Sequence, residues 1–336
     1  MDEDRDEGEL SLGDLEVERG GVVRDARLAW RSYGTLNAAR DNAVLYPCSY
    51  SAKAADLEWL IGPDGVLDPT RWFIVIPEMF SGGVSSGAAR TPGYPSLVTP
   101  RDNVLAQRRL LTELGVERLA AVYGFSMGAQ QAYHWAALFP DDVERAIVVC
   151  GSARTSTHNR VFLSGLLRTL EAAPEHQGDG RFSSEPEAAL RAFAHIYAGW
   201  GRSQDFYRAG RHLTTTGAPD LETYLRTDWE ESFGASRAAD LYAQLRTWDA
   251  ADISANDLYG GDLVRALSAI RARVLLLPSR TDLYFPVADN AAELPHLAEG
   301  ELRPIPSIHG HAAGDPTDSP ADLAFLRSAV REWLDR

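Results

Sequence analysis

The sequence predicts an α/β fold, with a mostly parallel central sheet flanked by helices and an inserted helical lid. Three observations carry that prediction. Short apolar runs of strand character alternate with helical segments, the rhythm of βαβ units. One long stretch, residues 155–249, is helical throughout and lacks apolar strand runs. Ser126 stands where a strand run ends and a helical pattern begins, inside the segment GFSMG.

The elements follow in chain order. Residues 1–14, opening MDEDRDEGEL, are strongly charged and predict an acidic disordered tail. From Leu15, LEVERGGVVRDARLAWRSYG alternates as two strands joined at Gly20 and Gly21. Residues 42–48 (NAVLYPC) and 71–79 (RWFIVIPEM) are short continuous apolar runs, as expected of strands buried on both faces. Residues 101–116 place Val104, Leu105, Leu110, Leu111 and Leu114 on one helical face, with Gly115 as the stop. Strand RLAAVYG, helix SMGAQQAYHWAALFP and strand RAIVVCG come next. After the helical stretch the α/β rhythm returns at residues 266–282 and at GELRPIPS, and closes with helix ADLAFLRSAVREWL. Residues 15–154 and 250–336 are therefore expected to form the core. Residues 155–249 are expected to form a lid over one end of the sheet.

Composition narrows the class. At 336 residues and 45% apolar content, the chain can bury a large core. A formal charge of −15 argues against a nucleic-acid partner, which needs a basic face. Lys53 is the only lysine, so arginine supplies nearly all the positive charge. Cys48 and Cys150 each end an apolar run and read as small buried side chains, not as a disulfide or a metal site. The N-terminus has no apolar stretch behind its charges, and no run approaches the roughly 18 residues of a membrane span. A protein of the cytoplasm, with no membrane partner, is expected.

GFSMG fits the G-x-S-x-G nucleophile elbow of the α/β-hydrolase fold. Small neighbours let the helix pack against the strand, and the sharp turn lifts the hydroxyl clear of the sheet. The helix N-terminus and the Met127 amide then face an oxygen that turns negative during acyl transfer. The pattern alone says little, because GVSSG around Ser85 matches it too. Ser85, however, is followed by AARTPGYPS, which carries two prolines and no helical period. Ser126 is the candidate nucleophile.

A hydroxyl is a weak nucleophile and needs a base, itself oriented by a carboxylate. In this fold the chain order is Ser, then Asp or Glu, then His. Asp282 follows the late strand run VLLLPSRT, and Asp289 is the poorer alternative. Of eight histidines, His309 and His311 in SIHGHAAG stand after the last strand and before the last helix, and His311 is preferred. Neither has a ligand cluster at metal-binding spacing around it, so no metal is expected. A second oxyanion amide is expected from YPCSYSA, at Tyr50 or the adjacent Ser49.

These segments also resemble the homoserine O-acetyltransferase family. RLAWRSYGTLNAARDNAVLYPCSYSA is similar to that family's opening, and TPRDNVLAQRRLLTELGVERLAAVYGFSMGAQQAYHWAALFPD to its central block. AHIYAGWG, LETYLR, LRTWDAAD and LSAIRARVLLLPSRTDLYFP extend the likeness to the C-terminal part. The resemblance implies Ser126, Asp282 and His311 as a catalytic triad, Met127 and Tyr50 as oxyanion amides, and a homodimer through the lid helices. The departures bear on the acceptor. Where the family reads Gly-His-Asp, with the aspartate holding the homoserine amino group, this chain reads Gly310-His311-Ala312. The family's carboxylate-binding lid arginine aligns with Leu167, with Arg168 one position away. A zwitterion without those partners loses several kcal/mol of binding.

The expectation is therefore a serine hydrolase that cleaves a small-molecule ester, amide or thioester through an acyl-Ser126 intermediate, without a cofactor. The alternative is an O-acetyltransferase moving acetyl from acetyl-CoA, as co-substrate, to an alcohol. A non-catalytic ligand-binding homologue is the third reading.

Overall fold

The computed structural model describes residues 5–336. Its first element corrects the expectation of a disordered tail. Strand β1 (Arg5–Glu16) pairs antiparallel with β2 (Val22–Tyr33) across the turn that holds Gly20 and Gly21. The acidic side chains that suggested disorder are matched by arginines of β2. Glu7 lies opposite Arg31 with its carboxylate 3.2 Å from the guanidinium, and Glu9 pairs with Arg27 at 2.9 Å. Residues 1–4 lie outside the described residues.

Next come β3 (Ala43–Leu45), β4 (Phe73–Pro77), α1 (Pro100–Glu113), β5 (Ala121–Phe125), α2 (Met127–Leu138) and β6 (Arg145–Val149). Between β6 and the next strand run the helices α3 (Thr157–Glu171), α4 (Glu187–Gly201) and α5 (Ala238–Asp249), with shorter helical turns between the last two. The chain then returns to the sheet with β7 (Arg273–Leu277), α6 (Val287–Glu293), β8 (Gly300–Leu302) and α7 (Pro320–Leu334). Strand order is β1-β2-β4-β3-β5-β6-β7-β8. Pairings β1–β2 and β2–β4 are antiparallel, and the remaining five are parallel.

The continuous apolar runs have a direct cause. Alternate residues of a strand face opposite sides, and here both sides are covered. Tyr123, Ile147 and Leu275 face one apolar cluster, which includes α7 and the lid. Val122, Val148 and Leu276 face the other, beneath α1 and α2. Beyond Leu45, Tyr46 still donates to the Val75 carbonyl at 2.8 Å and Cys48 to that of Pro77 at 3.4 Å, and the chain then passes the carboxyl ends of the strands, where α/β folds collect their functional groups. No helix among the described residues is long and apolar enough to cross a membrane.

Candidate active site

Ser126 is the residue between β5 and α2, and its backbone sits at φ +56°, ψ −126°. That region is costly for a residue with a Cβ, by about 1–3 kcal/mol, and needs its surroundings to hold it. They do so through the Ser126 amide, which donates to the Val149 carbonyl at 2.9 Å, and through two close approaches. A Cβ on Gly124 would stand 2.2 Å from the Gly128 carbonyl oxygen, and one on Gly128 would stand 2.4 Å from that of Pro47. Both glycines of the motif are thus required by contact with backbone.

The Ser126 hydroxyl lies 2.9 Å from Nε2 of His311. Nδ1 of the same ring lies 2.7 Å from the Asp282 carboxylate. Asp282 is fully buried, and its other oxygen accepts the amides of Tyr284 (2.7 Å) and Phe285 (3.2 Å). One carboxylate oxygen is therefore held by backbone amides, and the other holds the imidazole from below. Aromatic rings wall the imidazole, with Phe125 stacked at 4.7 Å, Tyr284 edge-on at 4.8 Å and Phe285 at 5.6 Å. Little water reaches the three groups: Ser126, Asp282 and His311 are all buried.

The loop that follows β3 approaches the first turn of α2. Gln131 donates to the Cys48 carbonyl at 2.9 Å and accepts from Gln107, whose own amide oxygen is held by the Trp135 indole. This chain of amides fixes the loop carrying Ser49 and Tyr50. The amides of Met127 and Tyr50 find no acceptor among the described residues. Tyr50 itself is buried, its hydroxyl on the Leu241 carbonyl and its ring stacked on Tyr197 of the lid.

The alternatives from the sequence fall elsewhere. Ser85 is buried in the loop after β4, where its hydroxyl donates to the Glu78 carbonyl (2.7 Å) and accepts the Ala29 amide (3.0 Å). His309 turns to Asp318 at 3.3 Å, away from Ser126. Asp289 lies on α6 and does not partner His311. His134 is buried within α2 with Nδ1 on the Gln130 carbonyl, and burial pushes its pKa down. The reading of Leu167 and Arg168 as substrate-binding lid residues is corrected. The inward face of α3 is Asn159, Phe162, Leu163, Leu166 and Leu170. Arg168 is 79% exposed and paired with Glu171, and Leu167 is only half-buried at the edge of the same outer face. A one-residue step on a helix turns a side chain by roughly 100°, enough to carry it out of the site.

Several neighbours were not legible from the sequence. Asn159 donates to the Tyr284 carbonyl at 3.1 Å and so ties α3 to the loop bearing Asp282. The Asp282 carboxylate closes onto the amide two residues ahead, a turn signature that Asp residues favour. Asp315, just past His311, is pushed up to about 6 by burial. Cys150 directly follows β6 at φ +46°, with its thiol, an Asp282 oxygen and a His311 nitrogen all within 4.8 Å of one another. Spacing along the chain hid that cluster, because its members come from three separate segments.

Residues 60–314 match the family described as alpha/beta hydrolase fold. A probable esterase of Corynebacterium glutamicum is 38% identical, with 90% of this chain and 88% of that protein covered. An ethyl acetate hydrolase of Pseudomonas veronii is 35% identical, with 92% and 90% covered. A homoserine O-acetyltransferase of Caulobacter vibrioides is 31% identical, with 95% and 93% covered, in line with the resemblance drawn from the sequence. The crystal structure of an acetylester hydrolase from Corynebacterium glutamicum superposes with a TM-score of 0.93 at 33% identity, covering 98% of this chain and 96% of that one. With an elbow serine, a late aspartate and a terminal histidine meeting at the carboxyl ends of its strands, this chain belongs to the alpha/beta hydrolase family.

Proposed function

We propose that this chain is a serine-dependent esterase that cleaves esters of small acyl groups through an acyl-Ser126 intermediate. The observation that carries the reading is the series Ser126, His311, Asp282, hydrogen-bonded head to tail at 2.9 Å and 2.7 Å in a buried, aromatic-walled site. The esterase names of relatives at 35–38% identity support it.

In this mechanism Nε2 of His311 accepts the Ser126 proton as Oγ attacks the acyl carbon. Asp282 keeps the other proton on Nδ1, so that Nε2 remains the basic nitrogen. The carbonyl electrons move to oxygen, and the Met127 and Tyr50 amides stabilise that oxyanion; one such donor is typically worth about 10²–10³ in rate. Collapse expels the alcohol, which takes its proton from His311. Water then repeats the sequence: His311 accepts its proton, hydroxide adds to the acyl carbon, and the acid leaves as Ser126 recovers its proton. No cofactor enters. Homoserine lacks its partners here, since Ala312 replaces the family's aspartate and Arg168 faces solvent. The same reading takes the enzyme as a cytoplasmic homodimer joined through lid helices, and sedimentation tests the dimer.

The test supplies ethyl acetate and p-nitrophenyl acetate, then acetyl-CoA with homoserine. Wild type is expected to release acetate and to show a mass increase of one acetyl group on Ser126 when quenched. Ser126→Ala is expected to lose both signals. Formation of O-acetylhomoserine at a rate matching ester hydrolysis would overturn the reading in favour of the acetyltransferase.

A further inference from the structure

We propose that Cys150, Asp282 and His311 form a capture site for a thiophilic divalent cation, and that loading it switches the enzyme off. The three side chains are buried, and one ligand atom of each lies within 4.8 Å of the other two. They combine a thiol, a carboxylate and an imidazole, a donor set that suits zinc and cadmium. Neighbouring ligands on a tetrahedral zinc stand about 3.4–3.6 Å apart, given metal–ligand bonds of about 2.0–2.3 Å. The triangle therefore needs side-chain shifts of about an ångström, including opening of the 2.7 Å contact between His311 and Asp282. The positions of Asp282 and Cys150 are otherwise set by backbone: Asp282 by the Tyr284 and Phe285 amides, and Cys150 by its own amide on the Leu277 carbonyl at 3.1 Å.

The consequence for catalysis follows from imidazole chemistry. A metal on the Asp282 side of the ring takes the Nδ1 lone pair, so the single ring proton passes from Nδ1, by way of solvent, to Nε2, the nitrogen 2.9 Å from the Ser126 hydroxyl. That nitrogen becomes a donor and can no longer accept the serine proton. The thiol also gives up a proton to water as its sulfur binds the ion. Cys48, the other thiol, is also buried but faces Glu78 at 3.8 Å and is not part of that cluster.

The experiment titrates the full-length chain, freed of metal with EDTA, with cadmium chloride. It reads the ultraviolet cadmium–thiolate charge-transfer band, the bound stoichiometry and p-nitrophenyl acetate hydrolysis. Wild type is expected to bind one ion with the band and to lose at least about tenfold of its rate, restored by EDTA. Cys150→Ser is expected to lose the band and to need at least about tenfold more cadmium to lose the same fraction of its own metal-free rate. Cys48→Ala, which leaves Cys150 as the sole thiol, is expected to behave as wild type. Inhibition of Cys150→Ser at the wild-type concentration, or loss of the band in Cys48→Ala, overturns the proposal. Should the Cys150 variant not fold, the Cys48→Ala band alone decides. The band and the stoichiometry do not depend on turnover. A Cys150-dependent band without ester hydrolysis therefore removes the proposed function and leaves the metal site standing.

Discussion

Gly128 links the two halves of the oxyanion site, because the first turn of α2 and the loop after β3 touch at its α-carbon. An added methyl group would lie 2.4 Å from the Pro47 carbonyl oxygen, a backbone atom with little freedom to yield. Gly128→Ala is therefore expected to push Pro47 and the following Tyr50 amide away from the Met127 amide. Loss of one oxyanion donor typically costs about 10²–10³ in rate, while the local overpacking costs about 1–3 kcal/mol. The expected result is a fall in kcat far larger than the change in KM, with a Tm lowered by several degrees; steady-state kinetics and calorimetry check both. An unchanged kcat would mean that the oxyanion is held elsewhere. At this scale the sequence was informative where chemistry and chain order coincide, as at Ser126, Asp282 and His311. It marked Cys150 as buried without placing it beside the imidazole, and it showed neither the role of Asn159 nor which face of α3 carries Leu167 and Arg168. Those depend on which way a helix is rolled and on loops meeting in space, and a linear motif carries neither.

At the level of elements, Glu293 of α6 joins three segments around the site. Its carboxylate accepts the Ala153 amide from the loop after β6 (2.8 Å), the Tyr133 hydroxyl of α2 (2.8 Å) and the Asn290 amide of its own helix (2.9 Å), and Asn290 in turn donates to the Gly151 carbonyl (2.9 Å). Burial raises Glu293 from 4.5 to about 7, against the pull of those donors. The folded state thus holds the proton more tightly than the unfolded chain does. Its contribution to stability is complete below about pH 4.5 and is lost as pH rises through about 7, with an upper size of about 3 kcal/mol. Glu293→Gln is expected to remove most of that slope, so that unfolding midpoints in urea at pH 5 and pH 7.5 draw together relative to wild type. A variant that keeps the wild-type slope would locate the titrating group elsewhere, with Asp315 the next candidate. Element existence was readable wherever an apolar run is covered on both faces. It failed at β1, an edge strand whose outer face is solvent and whose charges answer those of β2; acidic composition looks the same for a disordered tail and for such a strand.

Across the whole molecule, the lid and the sheet meet through one aromatic cluster placed directly above the imidazole. Phe162 of α3 lies 4.7 Å from Tyr284, 5.0 Å from Trp200 and 5.4 Å from Tyr197, while Tyr284 leans on His311 at 4.8 Å. Tyr284 also donates to the Tyr197 carbonyl at 3.2 Å, so the loop that carries Asp282 is bonded to α4. The helical insertion was legible from its lack of strand runs, but its route to the triad was not, because aromatic content alone does not say which rings face inward. An acyl group on Ser126 is expected to pack against rings of both layers, so that acyl length depends on how those layers fit together. Removing the Phe162 ring should open space behind Tyr284 at a stability cost of about 3–5 kcal/mol. Since each methylene in an apolar pocket is worth about 1–3 kcal/mol, the ratio of kcat/KM for p-nitrophenyl butyrate over acetate is expected to rise at least about fivefold in Phe162→Ala. Val161→Ala, one residue away and 64% exposed, should leave the ratio unchanged. Equal ratios in both variants and wild type would show that the cluster only seals the lid, and that acyl length is set by rings nearer Ser126, of which Tyr50 and Phe125 come first.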